Sequence, residues 1–203
     1  MNSPLLPAAA RLRVAAATVL ALVLSAPATP SQSDWIYHAA REPSAERALA
    51  YDEARRVTVM VGGNPGHSSV KTHEWDGSRW TLRSTAHAPR ARKQMGLAYM
   101  AKTKRVLLFG GYADTGTRQL SETWEYDGVD WTQRRPRQSP SSRVEPVMAW
   151  DARRERLVLF GGEAGGRALT DTWEWDGNDW VQRMPANVPP SRSAAYELCF
   201  DEN

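Results

Sequence analysis

One ten-residue phrase occurs three times in this chain of 203 residues, and its spacing constrains the fold more than any other feature. It reads KTHEWDGSRW from Lys71, ETWEYDGVDW from Glu122 and DTWEWDGNDW from Asp171. A Gly-Gly pair keeps a similar interval, beginning at positions 62, 110 and 161. A period of about 50 residues is typical of proteins in which each repeat is one supersecondary unit.

Each repeat carries the signals of four short strands. RLVLFGG, from Arg156, is a branched apolar run stopped by glycines, which is typical of a strand buried on both faces. DTWEWD alternates, so that Trp173 and Trp175 share one face of a strand. The following Asp-Gly pair predicts a tight hairpin turn, and segments such as VEPVMAWD supply one more strand. We therefore predict an all-β fold with four antiparallel strands per repeat and a glycine pair at the end of each second strand.

These motifs together resemble the kelch repeat over about residues 35–201. The resemblance rests on an apolar run ending in Phe/Val-Gly-Gly, on Trp-Glu-Trp/Tyr-Asp-Gly, and on a tryptophan about 18 residues after the glycines. It implies a kelch-type β-propeller of four-stranded antiparallel blades, similar to the central domain of galactose oxidase. Three blades are expected at residues 45–84, 92–135 and 143–184, with a partial fourth at 192–203. The first repeat diverges most, because His73 stands where the others have Trp124 and Trp173.

The number of repeats predicts an incomplete or open propeller. Closed propellers have about four to eight blades, so three and a fraction do not close comfortably. We expect an intact relative to continue for at least three more repeats, which would make this chain a fragment of a larger propeller. A chain that is complete as given would leave an apolar blade face in water, and would self-associate through it or be poorly soluble.

The many tryptophans are explained first by packing. Blades of a propeller stack face to face, so large flat side chains on the middle and outer strands fill the space between them. Burial of one indole stabilises the fold by about 2–3 kcal/mol. We expect a core role for the tryptophans of the second and third repeats, Trp124, Trp131, Trp173, Trp175 and Trp180.

The N-terminus is typical of a secretory signal peptide. Residues 1–28 contain a basic start with Arg11 and Arg13, an apolar run over residues 14–24, and small residues at Ala26 and Ala28. The run is shorter than the roughly 20 residues that span a bilayer. We predict cleavage near Thr29 and a periplasmic or secreted protein without a stable membrane span; an uncleaved anchor or a misassigned start is the alternative. Residues 29–44 form an N-terminal segment in which DWIYH resembles a lone outer strand.

Composition excludes several functions. The formal charge of +3 falls to +1 without residues 1–28, because 24 basic residues then face 23 acidic ones, so no nucleic-acid ligand is expected. The single cysteine, Cys199, lies in an apolar string and forms no intramolecular disulfide. The histidines have no metal-ligand spacing, and we expect neither a metal nor a cofactor. The histidines are His38, His67, His73 and His87.

One arginine recurs before the first strand of each unit, at Arg92, Arg143 and Arg192. In a ring these side chains would approach one another near a rim or the channel, where they could bind an anionic or sugar ligand. The alternative is structural: each arginine bonds carbonyls or a carboxylate of a neighbouring blade. A feature that recurs in every repeat favours this second interpretation.

The sequence leaves two classes of function open. The first is an exported, noncatalytic binding or scaffold module for a protein or glycan ligand, which would use the dissimilar loops YADTGTRQ and EAGGRA. The second is a carbohydrate-directed enzyme of the mutarotase or galactose-oxidase-like kind, which the kelch resemblance brings into consideration. The loops are short and carry no His-Glu or Tyr-Cys constellation, which favours the noncatalytic module.

Overall fold

The computed structural model describes residues 47–62, 68–113 and 118–189. All of them belong to one of the two units into which the chain divides, Arg41–Asn203. The predicted signal peptide, the N-terminal segment, Arg192, Cys199 and the partial fourth blade lie outside the described residues. None of the described residues is helical, so this part of the chain contains no helix that could cross a membrane.

The described residues form seventeen strands. In chain order they are β1 (Ala48–Asp52), β2 (Val57–Gly62), β3 (Lys71–Trp75), β4 (Trp80–Arg83), β5 (Arg92–Lys93), β6 (Gly96–Met100), β7 (Arg105–Phe109), β8 (Tyr112–Ala113), β9 (Arg118–Gln119), β10 (Thr123–Tyr126), β11 (Trp131–Arg134), β12 (Val147–Asp151), β13 (Arg156–Phe160), β14 (Glu163–Ala164), β15 (Arg167–Ala168), β16 (Thr172–Trp175) and β17 (Trp180–Arg183).

Three four-stranded antiparallel sheets make up the framework, and none of them closes on itself. The first sheet has the order β1-β2-β3-β4, the second β6-β7-β10-β11 and the third β12-β13-β16-β17. The prediction of an all-β fold with one four-stranded antiparallel sheet per repeat is therefore confirmed for the described residues. The segments predicted as loops, YADTGTRQ and EAGGRA, contain additional short strands, β8 with β9 and β14 with β15. Two smaller assemblies, β5-β8-β9 and the hairpin β14-β15, lie where β7 and β13 end. We call this side of the framework the hairpin end.

The glycine pairs that begin at Gly110 and Gly161 follow the second strands β7 and β13, as predicted, and their conformation explains the residue type. In the first repeat Gly62 ends β2, and Gly63 lies outside the described residues. Gly110 and Gly111 have φ angles of +70° and +98°, which side chains rarely tolerate. A Cβ atom on Gly110 would lie 2.6 Å from the carbonyl oxygen of Arg143, and one on Gly111 2.7 Å from that of Lys93. The pair therefore lets the second strand leave its sheet while neighbouring backbone passes close by.

The Asp-Gly pairs are tight turns between the third and fourth strands. The carboxylate of Asp127 accepts hydrogen bonds of 2.9 Å from the backbone N–H groups of Val129 and Asp130, and Gly128 has a φ angle of +97°. The same arrangement recurs at Asp76 and Asp176. At Asp76 the Ser78 hydroxyl and backbone N–H groups lower the pKa to about 2. The Asp and Gly of the recurring phrase are therefore sufficient to form the turn, through the aspartate hydrogen bonds and the positive φ angle of the glycine.

Neighbouring sheets pack face to face around two apolar cores. One core lies between the first and second sheets, the other between the second and third. The first strands come closest together, since β1 contacts β6 and β6 contacts β12. Strand β7 of the central sheet is buried on both faces from Val106 to Phe109. The same was predicted for RLVLFGG, but β13 is fully buried on one face only, because Leu157 and Leu159 are buried whereas Val158 and Phe160 are half-buried.

The tryptophans of the second and third repeats lie in the cores, as predicted, but they differ in how deeply they are buried. Trp131, Trp175 and Trp180 are almost fully buried. Trp124 and Trp173 are half-buried at the margins of the same cores. Both donate their indole N–H to a carboxylate two residues earlier in the chain, so they lie where the apolar core meets a polar network.

Candidate functional site

Arg143 is the best-defined member of the predicted arginine set. Its side chain is fully buried, and Nη1 donates to the Gly161 carbonyl at 2.9 Å and to Asp171 Oδ1 at 2.6 Å. Nη2 reaches Asp171 Oδ2 at 2.8 Å, and Nε reaches the Ser141 carbonyl at 3.0 Å. Burial opposes ionisation of Asp171, but the bonds from Arg143 and Trp173 outweigh it and lower the pKa of this carboxyl. The guanidinium is thus held by groups of its own repeat.

Arg92 repeats this arrangement one unit earlier. Its buried guanidinium donates from Nη1 to the Gly110 carbonyl at 3.0 Å and from Nη2 to Glu122. Glu122 also accepts the indole N–H of Trp124 at 3.1 Å. Burial opposes ionisation of Glu122, yet the bonds from Arg92 and Trp124 lower its pKa. The two arginines therefore stand in equivalent environments, each between a glycine carbonyl and an acid.

These contacts match the structural interpretation, with one correction. The sequence suggested that each arginine bonds a neighbouring blade, whereas the bonds of Arg92 and Arg143 to acids and glycine carbonyls stay within one repeat. The acid is the first residue of the recurring phrase, Glu122 or Asp171, and this position was the sequence signal that could have predicted the pairing. The first repeat has Lys71 there instead. Arg192 lies outside the described residues.

The hairpin end brings together side chains that differ between repeats. Gln119 joins the two hairpins, because its Nε2 donates to the Glu163 carbonyl at 3.3 Å and its Oε1 accepts from the Gly165 N–H at 3.1 Å. Arg118 and Arg167 are exposed on these hairpins. No ion pair joins either arginine to a carboxylate within the described part of the chain. The sequence identified the loops but not the role of Gln119 in placing them side by side.

Two residues with left-handed backbone conformation lie beside the hairpins. Gln94 and Glu145 occupy equivalent positions before β6 and β12 and have φ angles of 56° and 52°. The Gln94 side chain donates from Nε2 to Glu145 Oε1 at 2.7 Å, and the Glu145 N–H donates to the Gln94 carbonyl at 2.8 Å. This contact connects successive repeats directly at the hairpin end. Positive φ in residues other than glycine is uncommon and is held here by the surrounding contacts.

A second recurring feature is a buried glutamate on the third strand of each sheet. In the first sheet Glu74 accepts from Arg55 at 2.5 Å and from Arg83 at 2.6 Å. In the third sheet Glu174 is held in the same way by Arg154 and Arg183. Sequence reasoning missed these acids, although the Glu in the recurring phrase marks all three.

Glu125, the corresponding acid of the second sheet, is paired less closely. Arg105 lies 4.0 Å away and Arg134 3.8 Å away, and burial raises the pKa of the Glu125 carboxyl. Met100 and Thr103 occupy the positions that Asp52 and Arg55 have in the first repeat. The central sheet therefore carries a buried carboxylate without the aspartate–arginine support of its neighbours.

The described histidines, His73 and His87, do not belong to a cluster that could hold a metal ion. The His87 ring Nδ1 lies 2.7 Å from Asp130 Oδ2, and its backbone N–H donates to the same carboxylate at 2.8 Å. Within residues 47–62, 68–113 and 118–189, no group of three or more His, Cys, Asp or Glu side chains could hold a metal ion. His38, His67 and Cys199 lie outside these ranges.

Comparisons with protein-family models and with curated proteins assign no function to these residues. No protein-family model matches the sequence. A search of curated proteins likewise gives no significant match.

Proposed function

We propose that this chain is an exported kelch-type β-propeller protein, incomplete or open as a ring, that acts as a noncatalytic binding or scaffold module for a protein or glycan ligand. The three face-to-face sheets support the propeller assignment, because their first strands lie closest together as blades around an axis do. The signal-like residues 1–28 support export.

One observation carries the binding function: an almost duplicated framework presents dissimilar hairpins at one end. Arg143 and Arg92 have equivalent partners, each a glycine carbonyl and an acid of its own repeat, so these positions maintain the framework. The β8–β9 and β14–β15 hairpins differ in sequence and are held side by side by Gln119. Loops positioned by a rigid scaffold are where binding residues concentrate.

The hairpin end favours a ligand that carries negative charge. Arg118 and Arg167 are exposed there, and Lys93 is half-buried on the adjoining strand β5. Guanidinium groups bind carboxylate, sulfate and phosphate through paired N–H donors. An acidic glycan or an acidic protein segment would place such groups against both hairpins at once. The buried arginines hold the base of this surface in place, since Arg143 donates to the carbonyl of Gly161, two residues before the β14–β15 hairpin begins.

Binding of the secreted protein to an array of acidic and neutral glycans and of acidic peptides tests this proposal. We expect retention on acidic members, and loss of retention by about tenfold or more for the Arg118→Ala/Arg167→Ala double variant. Arg153→Ala is the matched control, because Arg153 is equally exposed but lies in the β12–β13 turn at the opposite end of the sheets. Equal binding by the double variant and the control would contradict the assignment of the site.

A further inference from the structure

The interface between the first two sheets is built on an aromatic pair. Tyr126 and Trp131, from the second sheet, stack with ring centroids 5.1 Å apart. Both insert against the first sheet, where Trp131 Nε1 donates to Thr72 Oγ1 at 2.9 Å and the Tyr126 hydroxyl donates to Glu74 at 3.0 Å. An aromatic pair thus meets a threonine–glutamate pair.

The next interface copies the first. Trp175 and Trp180, from the third sheet, have ring centroids 5.4 Å apart. Trp180 Nε1 donates to Thr123 Oγ1 of the second sheet at 3.0 Å. The same tryptophan-to-threonine hydrogen bond therefore joins each sheet to the one before it. Every sheet presents an aromatic face on one side and a threonine–glutamate face on the other.

The aromatic face of the first sheet has the same pair but no described neighbour. Trp75 and Trp80 lie with ring centroids 5.6 Å apart, so the pair is already assembled. Trp80 is 44% exposed, whereas its counterparts Trp131 and Trp180 are 1% and 0% exposed. The exposed large apolar residues Leu49, Tyr51 and Leu82 lie on the same face. No side chain of the described ranges covers this surface as the second sheet covers the first.

The threonine–glutamate face of the third sheet is the matching surface. It carries Thr172 and Glu174, the latter held by Arg154 and Arg183 as Glu74 is held in the first sheet. Within the part of the chain described, no aromatic side chain donates to Thr172 or Glu174. Val158 and Phe160 beside them are half-buried, whereas the equivalent Leu107 and Phe109 of the second sheet are fully buried.

We infer that these two faces bind each other in a head-to-tail complex between two copies of this chain. The Trp75–Trp80 pair of one copy docks on the Thr172–Glu174 face of the next, with Trp80 Nε1 donating to Thr172 Oγ1. A second copy fits because each face reproduces one half of an interface that the chain already forms twice. Such a heterologous contact generates a ring if the rotation closes and a filament if it does not. The inference stands independently of the ligand proposed for the hairpin end.

Complementation between two variants tests the inference. Trp80→Lys blocks the aromatic face and Thr172→Lys blocks the threonine–glutamate face, while each variant keeps the other face intact. In sedimentation velocity over a concentration series, the wild-type protein should assemble. Each variant alone should be monomeric, and an equimolar mixture should form a 1:1 dimer through the one remaining pair of intact faces. Thr172→Val, which removes only the acceptor hydroxyl, should require about tenfold higher concentration to assemble.

The control is Val129→Lys, since Val129 is 75% exposed in a turn away from both faces and should leave assembly unchanged. Circular dichroism melts of all variants establish that each is folded before assembly is compared. A wild-type protein that stays monomeric would overturn the inference, and would indicate that its own residues or another protein cover these faces. Failure of the folded variants to form the mixed dimer would equally overturn it, as would wild-type assembly by either variant alone.

Discussion

The indole Nε1 of Trp131 lies 2.9 Å from Thr72 Oγ1, so a side chain at the start of one outer strand is bonded across a sheet interface to the preceding repeat. Trp180 and Thr123 repeat the relationship at 3.0 Å. Both indoles are buried, and a buried N–H that loses its acceptor costs about 1–3 kcal/mol. These bonds therefore fix the register of neighbouring sheets in addition to filling the space between them.

Removing the indole donor at the first interface should destabilise the fold. Trp131→Phe deletes both the hydrogen bond and part of a buried ring system, and we expect a loss of about 2–3 kcal/mol in the free energy of unfolding. Thr72→Val removes the acceptor alone. A double-mutant cycle by urea denaturation should give a coupling energy of about 1 kcal/mol between the two positions. Strict additivity would show that the hydrogen bond contributes nothing.

Trp80→Phe is the matched control, because it makes the same change at the equivalent position of the first repeat. Trp80 is 44% exposed in the single chain and, among the described residues, its indole N–H has no buried acceptor to lose, so Trp80→Phe should cost clearly less free energy of unfolding than Trp131→Phe at dilute concentration. A cost equal to that of Trp131→Phe would mean that the Trp80 face is covered even in the monomer.

Arg143→Lys should be strongly destabilising although the charge is kept. A lysine cannot replace the paired bonds to Asp171 together with those to the Gly161 and Ser141 carbonyls. Each buried acceptor that loses its donor costs about 1–3 kcal/mol. Chemical denaturation of Arg143→Lys beside the exposed Arg153→Lys measures the difference. Comparable stability of the two variants would place Arg143 in a ligand site rather than in the framework.

Glu125 should make the stability depend on pH in the opposite sense to the paired acids. Burial raises the pKa of Glu125 in the folded state, so the folded protein retains a proton that the unfolded chain releases. Stability is therefore lost as the pH rises from the unfolded pKa, about 4.3, through the folded value. Glu125→Gln removes this loss and should stabilise the protein at pH 7, with little effect at pH 4.

Asp171 and Glu122 provide the contrast within the same protein. Their pKa values are lowered in the folded state, so their contribution is present above the unfolded pKa and lost as the pH falls through the folded value. Melting temperatures of the wild type and Glu125→Gln between pH 3 and pH 8 separate the two effects. Curves that stay parallel over the whole range would show that Glu125 is not the group responsible.

Much of the framework follows from local sequence signals. The Asp-Gly turns, the alternation of Trp173 and Trp175, and the apolar run before Gly161 each specify structure within a few residues. The pairing of Arg143 with Asp171 is harder to predict, because the two residues are 28 positions apart and only the fold brings them together. The exposure of Trp80 is harder still to predict from the sequence, because it depends on whether another sheet packs on the first sheet and not on the sequence of the first repeat itself.

The predicted signal peptide can be tested at the N-terminus of the mature protein. The basic start, the apolar run and the small residues before position 29 predict cleavage near Thr29. N-terminal sequencing of protein from the periplasmic or culture fraction should begin there. Recovery of intact Met1 from the purified envelope protein would contradict the signal-peptide assignment.

A crystal structure of the protein is the most direct test of whether one recurring aromatic-to-threonine interface joins successive sheets. We predict that the first strands β1, β6 and β12 surround a common axis, with Trp131 Nε1 on Thr72 and Trp180 Nε1 on Thr123 within hydrogen-bond distance. We further predict that Trp80 lies on Thr172 of an adjacent copy. Sheets joined edge to edge, or indoles of Trp131 and Trp180 turned to solvent, would contradict it.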